Sequence, residues 1–340
     1  MRLADVAAAA GMSVATVSRV LGGSSHKVNV ATRRRVEAAA ERLAYKANPI
    51  ARALRLSMTG SIGIVVPSIG NPFFTELVEQ VEHHLTGLDL NLYLCDARDS
   101  VELEARRLRS FAAGAVDGIL IVPCHATESA PAVHEASQLV PLVQIDRQIP
   151  DLKIPWVGVE DTTGIHDIMH HLADLDVQSL ALVTSMQSSL SSAVRTASVR
   201  SNAAELGISI APNHVLDGRY SIEEGTIAAE RLVALGGLPD AIVCADDLLA
   251  IGVIAGLRKH GFRIPEDVLV TGFDDVRFAS YMVPSLTTVR QPLSRIAAEA
   301  VRLLQEDGDS TREGIRIALP GKLMVRGSTT RGEHIPQRPA

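Results

Sequence analysis

LADVAAAAGMSVATVSRVL, residues 3–21, carries two apolar helical faces separated by a three-residue turn. Leu3, Val6 and Ala7 fall on one side of the first segment, and Val17, Val20 and Leu21 on one side of the second. The small Ala8, Ala9 and Ala10 let the two helices approach closely, and Gly11-Met12-Ser13 makes the turn. That packing leaves Val14, Ala15, Ser18 and Arg19 facing outward. A helix, a tight turn and a second helix can lay the second helix in a DNA major groove. Arginine is the commonest specific base reader there, bidentate to guanine O6 and N7. A third helix is predicted over residues 31–44, with Asn29 and Thr32 as candidate caps. Thr16, Asn29, Thr32 and the run Arg33-Arg34-Arg35 could bond phosphates, which position a module without specifying sequence. From composition alone, three short helices with a few arginines read equally well as a solvated bundle.

Beyond this all-α segment, IARALRLS (50–57) is a basic stretch of good helix formers too short to be stable without a partner. From Gly60 the rhythm changes. IGIVVP (62–67), LNLYLCD (90–96), GILIVP (118–123) and PLVQID (141–146) read as strands, with helices near 73–86, 101–113 and 129–139. The rhythm repeats with LALVTS (180–185), HVLDG (214–218), AIVCAD (241–246) and VLVTGFDD (268–275), and helices near 163–173, 195–206, 222–235 and 247–260. Such alternation implies two similar α/β lobes with parallel sheets built from right-handed βαβ units. Ligands of such sheets bind outside the carboxyl ends of the strands, which makes Pro67 to Phe74, Asp146-Arg147, Asp246-Asp247 and Asp274-Asp275 the candidate positions.

The charge is distributed in the same two parts. Residues 1–60 hold ten Lys and Arg against three Asp and Glu, a balance of +7, leaving −13 for the rest of a chain whose formal charge is −6. That asymmetry suits a basic module for a polyanion joined to an acidic body. Cys95, Cys124 and Cys244 are far apart and odd in number, as expected of reduced, strand-buried thiols in a cytoplasmic protein. The first apolar run is too short for a signal peptide, and no run approaches the 18 or so apolar residues of a membrane span. HDIMH (166–170) has the i, i+4 histidines of a helical zinc site, but Asp stands where Glu would serve as base and no third ligand is evident. No metal or cofactor is therefore expected, and no P-loop, G-x-S-x-G or Cys-His nucleophile pattern occurs. The classes left to compare are a DNA-binding regulator with an effector, a free solute-binding protein, which would lack residues 1–58, and a zinc hydrolase using His166 and His170.

The order of residues is decisive. LADVAAAAGMSVATVSRVLGG (3–23), VNVATRRRVEAAAERLAYKANPIARALR (28–55), TGSIGIVVPSIGNPFF (59–74) and LPGKLMVRGST (319–329) together resemble the lactose-repressor and galactose-repressor (LacI/GalR) family of bacterial transcription regulators. The resemblance implies a helix-turn-helix headpiece (1–46), a hinge helix and linker (47–59), and a two-lobed body like the periplasmic sugar-binding proteins (60–330). It divides the body into one lobe near 60–159 and 291–319 and a second near 160–288 and 320–330, followed by a flexible tail (331–340). It implies DNA contacts from Ser13, Val14, Ala15, Thr16, Ser18, Arg19, Asn29, Thr32, Tyr45, Asn48, Ala51 and Leu54, with Val14 and Ala15 tuning the operator and Leu54 wedging into the minor groove. It implies effector contacts from Asn71, Phe73, Phe74, Asp146, Arg147, Arg195, Tyr220, Asp246, Asp274 and Gln291, a set most similar to that of ribose-binding members. Two positions depart from the family pattern: Ala47, where proline is usual, and Asp246, where asparagine is common. The implied protein is a cytoplasmic repressor, a homodimer or a dimer of such dimers, on a pseudo-palindromic operator and controlled by a monosaccharide. Relatives responding to a nucleoside, a polyol, a corepressor or a partner protein form the alternative.

Overall fold

Helix α1 (Leu3–Ala10) stops at Gly11, whose φ of 64° is the left-handed conformation that closes a helix end. There Gly11 N–H donates to the Ala8 carbonyl and Met12 N–H to the Ala7 carbonyl, the paired bonds of a Schellman cap. Ser13 then opens α2 (Val14–Leu21), its Oγ accepting from Thr16 N–H at 3.1 Å. Helix α3 (Val30–Arg42) is capped by Asn29, which accepts from Ala31 N–H at 2.9 Å. Of the two candidate caps, Asn29 is the cap, and Thr32 lies half-buried inside the first turn. Val6, Ala7, Ala10, Val17, Val20, Val36, Ala39 and Ala40 form the core of this three-helix unit. The structure is a computed structural model that describes residues 2–21, 28–45, 58–185, 189–306 and 314–330. The hinge segment with Ala47, Asn48, Ala51 and Leu54, and the tail from residue 331, lie outside the described residues.

The body holds two parallel sheets. The first has the strand order β11-β5-β4-β3-β1-β2, formed by β1 (Ser61–Val66), β2 (Asn91–Asp96), β3 (Gly118–Ile121), β4 (Leu142–Ile145), β5 (Trp156–Glu160) and β11 (Arg316–Pro320). The second has the order β7-β6-β8-β9, formed by β6 (Leu180–Thr184), β7 (Val215–Asp217), β8 (Ala241–Cys244) and β9 (Leu269–Thr271). A short antiparallel pair, β10 (Thr288–Arg290) and β12 (Lys322–Met324), lies where the chain passes between the sheets. Strands β1, β3, β4, β6, β8 and β9 are buried along their whole length, as strands covered by helices on both faces must be. The covering helices include α4 (Pro72–Thr86), α5 (Val101–Ser110), α6 (Ala130–Ser137), α7 (Asp161–Ala173), α8 (Leu190–Leu206), α9 (Ile222–Ala234), α10 (Asp247–Lys259) and α11 (Leu293–Gln305).

Several elements differ from the sequence reading. Strand β5 was not anticipated: WVGVE (156–160) is short and runs straight into a helix, yet it sits between β4 and β11 in the sheet. Helix α11 was also missed, although it buries Ile296, Ala297, Ala300, Val301, Leu303 and Leu304 along one stripe. Helix α8 begins at Leu190 rather than 195, because Ser189 in a serine-rich, loop-like stretch caps it by accepting from Ser192 N–H at 3.2 Å. Strand β9 ends at Thr271 rather than running to Asp275: beyond it Gly272 N–H donates to the Thr287 carbonyl and Asp274 N–H to the Val289 carbonyl, turning the chain onto the segment that carries β10. The three free cysteines are not all strand-buried: Cys244 is, Cys95 on edge strand β2 is half-exposed, and Cys124 is buried in the turn after β3.

Candidate functional sites: the cleft and the headpiece

The ends of β1, β4, β8 and β9 converge on one cleft. Asn71, Phe73 and Phe74 open α4, Asp146-Arg147 follow β4, Tyr220 follows β7, Asp246 follows β8 and Asp274 follows β9. With Ser189, Ser191 and Arg195 from the start of α8 they line a space of about 310 Å³ that is partly open to solvent. Nine of the ten effector residues inferred from the sequence thus line one space. The tenth, Gln291, stands behind it and donates from Nε2 to Asp274 Oδ1 at 2.8 Å. Ser189, Ser191 and Asp161 are absent from the sequence-based set; the serine run SSLSS (188–192) is the only signal for the two serines, and Asp161 has none.

Local backbone chemistry sets these side chains. Asn71 caps α4 by accepting from Phe73 N–H (3.0 Å), and Asp246 caps α10 by accepting from Leu249 N–H (2.8 Å). Asp146 has φ 60° and Asp274 φ 115°. Such values are uncommon outside glycine, are tolerated best by Asp and Asn, and concentrate at functional sites. The neighbouring Asp275 has a structural task, pairing with Arg290 Nε and Arg326 Nη1 at 2.6 Å each.

Arg195 is the electrostatic centre. Its Nε donates to Asp161 Oδ1 at 2.7 Å and its Nη1 to the Ala245 carbonyl at 2.7 Å, with Asp274 Oδ1 3.7 Å from Nη1. The guanidinium lies 3.6 Å from the centroid of the Phe273 ring, a cation–π contact inside the protein. Arg147 stacks between two rings, 5.4 Å from Phe74 and 5.6 Å from Tyr220. Against these two cations stand Asp146, Asp161, Asp246 and Asp274, all buried or nearly so. Burial pushes Asp146 and Asp246 up to about 6, Arg195 and Arg147 opposing the shift. Burial likewise raises Asp274 well above the usual carboxylate range, and raises Asp161 against the pull of Arg195. The cleft is therefore rich in acceptors, holds two fixed donors, and is walled by aromatic rings.

In the headpiece, Val14, Ala15, Arg19 and Ser13 are exposed along α2, while Thr16 and Ser18 are half-buried. Thr16 and Ser13 bond each other through their hydroxyls at 2.9 Å. Tyr45 packs against the headpiece core. Within the basic run, Arg35 Nη2 donates to the Ala10 carbonyl at 3.0 Å and braces the turn.

The HDIMH segment does not assemble a metal centre. His166 and His170 stack at 4.1 Å, His166 Nδ1 lies 3.5 Å from Asp167, and His171 Nε2 bonds Thr329 Oγ1 at 2.8 Å. No cluster of three metal-ligating side chains occurs among the described residues.

A helix-turn-helix and a two-lobed, ligand-sized cleft in one chain define an effector-responsive DNA-binding regulator. The chain belongs to the lacI family of bacterial regulatory proteins. The description of that family's DNA-binding domain matches residues 2–48, and a periplasmic binding protein-like domain matches residues 169–329. Catabolite control protein A of Priestia megaterium is 30% identical over 96% of this chain and 98% of its own length. The lac repressor dimer bound to operator and the anti-inducer ONPF superposes with a TM-score of 0.83 at 27% identity, covering 97% of this chain and 99% of that one. The transcriptional regulator CelR in complex with cellobiose superposes with a TM-score of 0.71 at 28% identity, covering 96% and 99%. The protein is thus a DNA-binding transcriptional repressor under small-molecule control, not an enzyme. No single helix among the described residues is long and apolar enough to cross a membrane.

Proposed function

We propose that the effector is a sugar whose ring sits in the cleft between Phe73, Phe74 and Tyr220, a pentose such as ribose or a related hexose. The observation that carries this reading is the composition of the cleft: three carboxylates and two guanidiniums line a small space rimmed by aromatic rings, with Asp161 paired to Arg195 behind it. Hydroxyl groups donate to carboxylates and accept from guanidiniums in charge-assisted bonds, while aromatic faces cover the C–H faces of the ring. Asn71, Asp146, Arg147, Arg195, Tyr220, Asp246 and Asp274 make the polar contacts, with Gln291 holding Asp274 in place.

On the DNA side, Val14, Ala15 and Arg19 read bases, and Ser13, Thr16, Ser18, Asn29, Thr32 and Tyr45 position the headpiece, joined by Asn48, Ala51 and Leu54 of the hinge. The protein acts as a homodimer whose paired headpieces match a pseudo-palindromic operator. A second copy would cover an apolar patch that is otherwise hard to account for: Tyr281, Val283 and Phe278 are 83%, 73% and 43% exposed. Effector and operator affinities are then reciprocally coupled.

The test is a thermal-denaturation panel of pentoses, hexoses, polyols and nucleosides on the full chain. A ligand that binds only the folded state raises its melting temperature. A stabilising sugar that also changes operator affinity is the expected result; stabilisation by nucleosides alone would refute the sugar assignment. Sedimentation equilibrium at micromolar concentration should give a dimer that Tyr281→Glu dissociates, and a wild-type monomer would overturn the assembly.

A further inference from the structure

The inner cleft does not end at Arg147. Asn71, Phe74, Arg147 and Tyr220 also line a second, wider space of about 1870 Å³ that opens to solvent, against about 310 Å³ for the inner space by the same measure. The partition between the two is a stack of side chains rather than main chain. It consists of the Arg147 guanidinium held between a ring from the first lobe and a ring from the second, its Nη1 donating to the Cys124 carbonyl at 3.4 Å. Because side chains alone divide the two spaces, a shift of Arg147 and the two rings would join them with no backbone movement at the partition.

The outer chamber has its own chemistry. Asp99 stands on a turn fixed by its N–H, which donates to the Pro67 carbonyl at 2.7 Å. Glu128 follows His125, whose Nδ1 accepts from Glu128 N–H at 3.2 Å. Glu224 lies in the first turn of α9, where Ser221 Oγ accepts from its N–H, and Arg219 Nε is 3.8 Å from its carboxylate. Its walls thus carry a surplus of carboxylates facing an aromatic floor. That is an acceptor field for hydroxyl groups, and one that repels a phosphate or a sugar acid.

We propose that the outer chamber is a second sugar subsite, and that the pentose or hexose assigned to the cleft is the inner ring of an uncharged saccharide of at least two rings, the next ring lying over Arg147 and Tyr220. This rests on reading the inner cleft as a sugar site. Asp99 and Glu128 are the outer specificity residues, and Arg147 donates to oxygens near the glycosidic link.

The chain's single tryptophan supplies the readout: Trp156 is buried and its indole N–H donates to the Asp146 carbonyl at 3.0 Å, so its emission reports events at the inner wall. Trehalose, maltose, cellobiose, sucrose and lactose are titrated into the full-length protein beside their constituent monosaccharides and glucose 6-phosphate, followed by fluorescence and calorimetry. The expected result is one disaccharide bound at least tenfold more tightly than either of its component sugars, with no binding of the phosphate ester. Asp99→Asn and Glu128→Gln, both at exposed positions, should cut that advantage to threefold or less while leaving monosaccharide affinity within twofold. A monosaccharide bound as tightly as every disaccharide containing it overturns the outer subsite and leaves the inner reading standing. Silence from every sugar overturns both, and a disaccharide advantage that survives both variants removes Asp99 and Glu128 from the site.

Discussion

Replacing Arg195 with methionine should damage folding as well as ligand response, because Arg195 neutralises carboxylates that are largely removed from water. The substitution keeps most of the apolar stem against Phe273 but removes the 2.7 Å bond to Asp161, the 2.7 Å bond to the Ala245 carbonyl and the nearby charge facing Asp274. Stripping one partner from a buried ion pair destabilises by about 3–5 kcal/mol. For a body of this size that corresponds to a fall in melting temperature on the order of 10 °C. The pH dependence gives a sharper signature. In the folded protein Asp146 and Asp246 titrate near 6 and Asp274 well above its ordinary value, so the folded state holds protons that the unfolded chain releases. Stability contributed by these groups is therefore greatest at acid pH and declines as pH rises from about 4 through about 6. Without Arg195 the same carboxylates are pushed further up, so the gap between wild type and variant should widen steadily from pH 5 to pH 8. Differential scanning calorimetry across that range measures it. A variant that loses less than about 1 kcal/mol, or whose deficit is the same at pH 5 and pH 8, would refute the central role assigned to Arg195.

Three further outcomes follow from the same geometry. Asp246→Asn should keep the α10 cap, since asparagine and aspartate cap about equally well, and should flatten the decline in melting temperature between pH 4 and pH 7 by removing one raised carboxylate; an unchanged profile would count against it. Arg35→Ala should cost the headpiece about 1 kcal/mol through loss of its bond to the Ala10 carbonyl, read as faster amide exchange in residues 3–21, whereas Arg19→Ala should leave exchange unaltered. On an operator selected from random DNA, Arg19→Ala should lose about 1–3 kcal/mol of discrimination while salt-dependent nonspecific binding persists, and undiminished discrimination would remove Arg19 as a base reader.

The parts of this protein legible in its sequence are those written in one local pattern. The turn at Gly11, the two apolar faces of α1 and α2, and the long buried strands each declare themselves within ten residues. Strand β5 and helix α8 do not: WVGVE owes its strand conformation to paired residues 12 positions before it and 160 after it, in β4 and β11. The serines before Arg195 look like a loop until Ser189 is seen capping the helix. The cleft residues were found individually, as polar positions at strand ends, but their coupling was not visible there. Asp161 opens α7 and is 34 residues from Arg195 in sequence, so no motif could have marked it as that arginine's closest carboxylate.

Asp246 shows why such coupling changes an argument about specificity. As a departure from asparagine in an otherwise familiar pattern, it suggests an altered ligand preference acting through one extra charge. In the folded protein its Oδ1 is engaged at the α10 N-terminus, and burial raises its titration to about 6, so near neutrality it responds to its surroundings instead of presenting a fixed charge. A hydroxyl donor delivered by a ligand stabilises the ionised form, and the cleft should then release protons as it fills between pH 5.5 and 7. Calorimetric titration of any stabilising saccharide in two buffers of different ionisation enthalpy measures that release directly. In Asp246→Asn the released fraction should drop, while Asp146 continues to supply the remainder. Proton uptake on binding in the wild type would mean that the ligand brings an acceptor to this position, and the assignment of Asp246 as the acceptor for a ligand hydroxyl would fall with it.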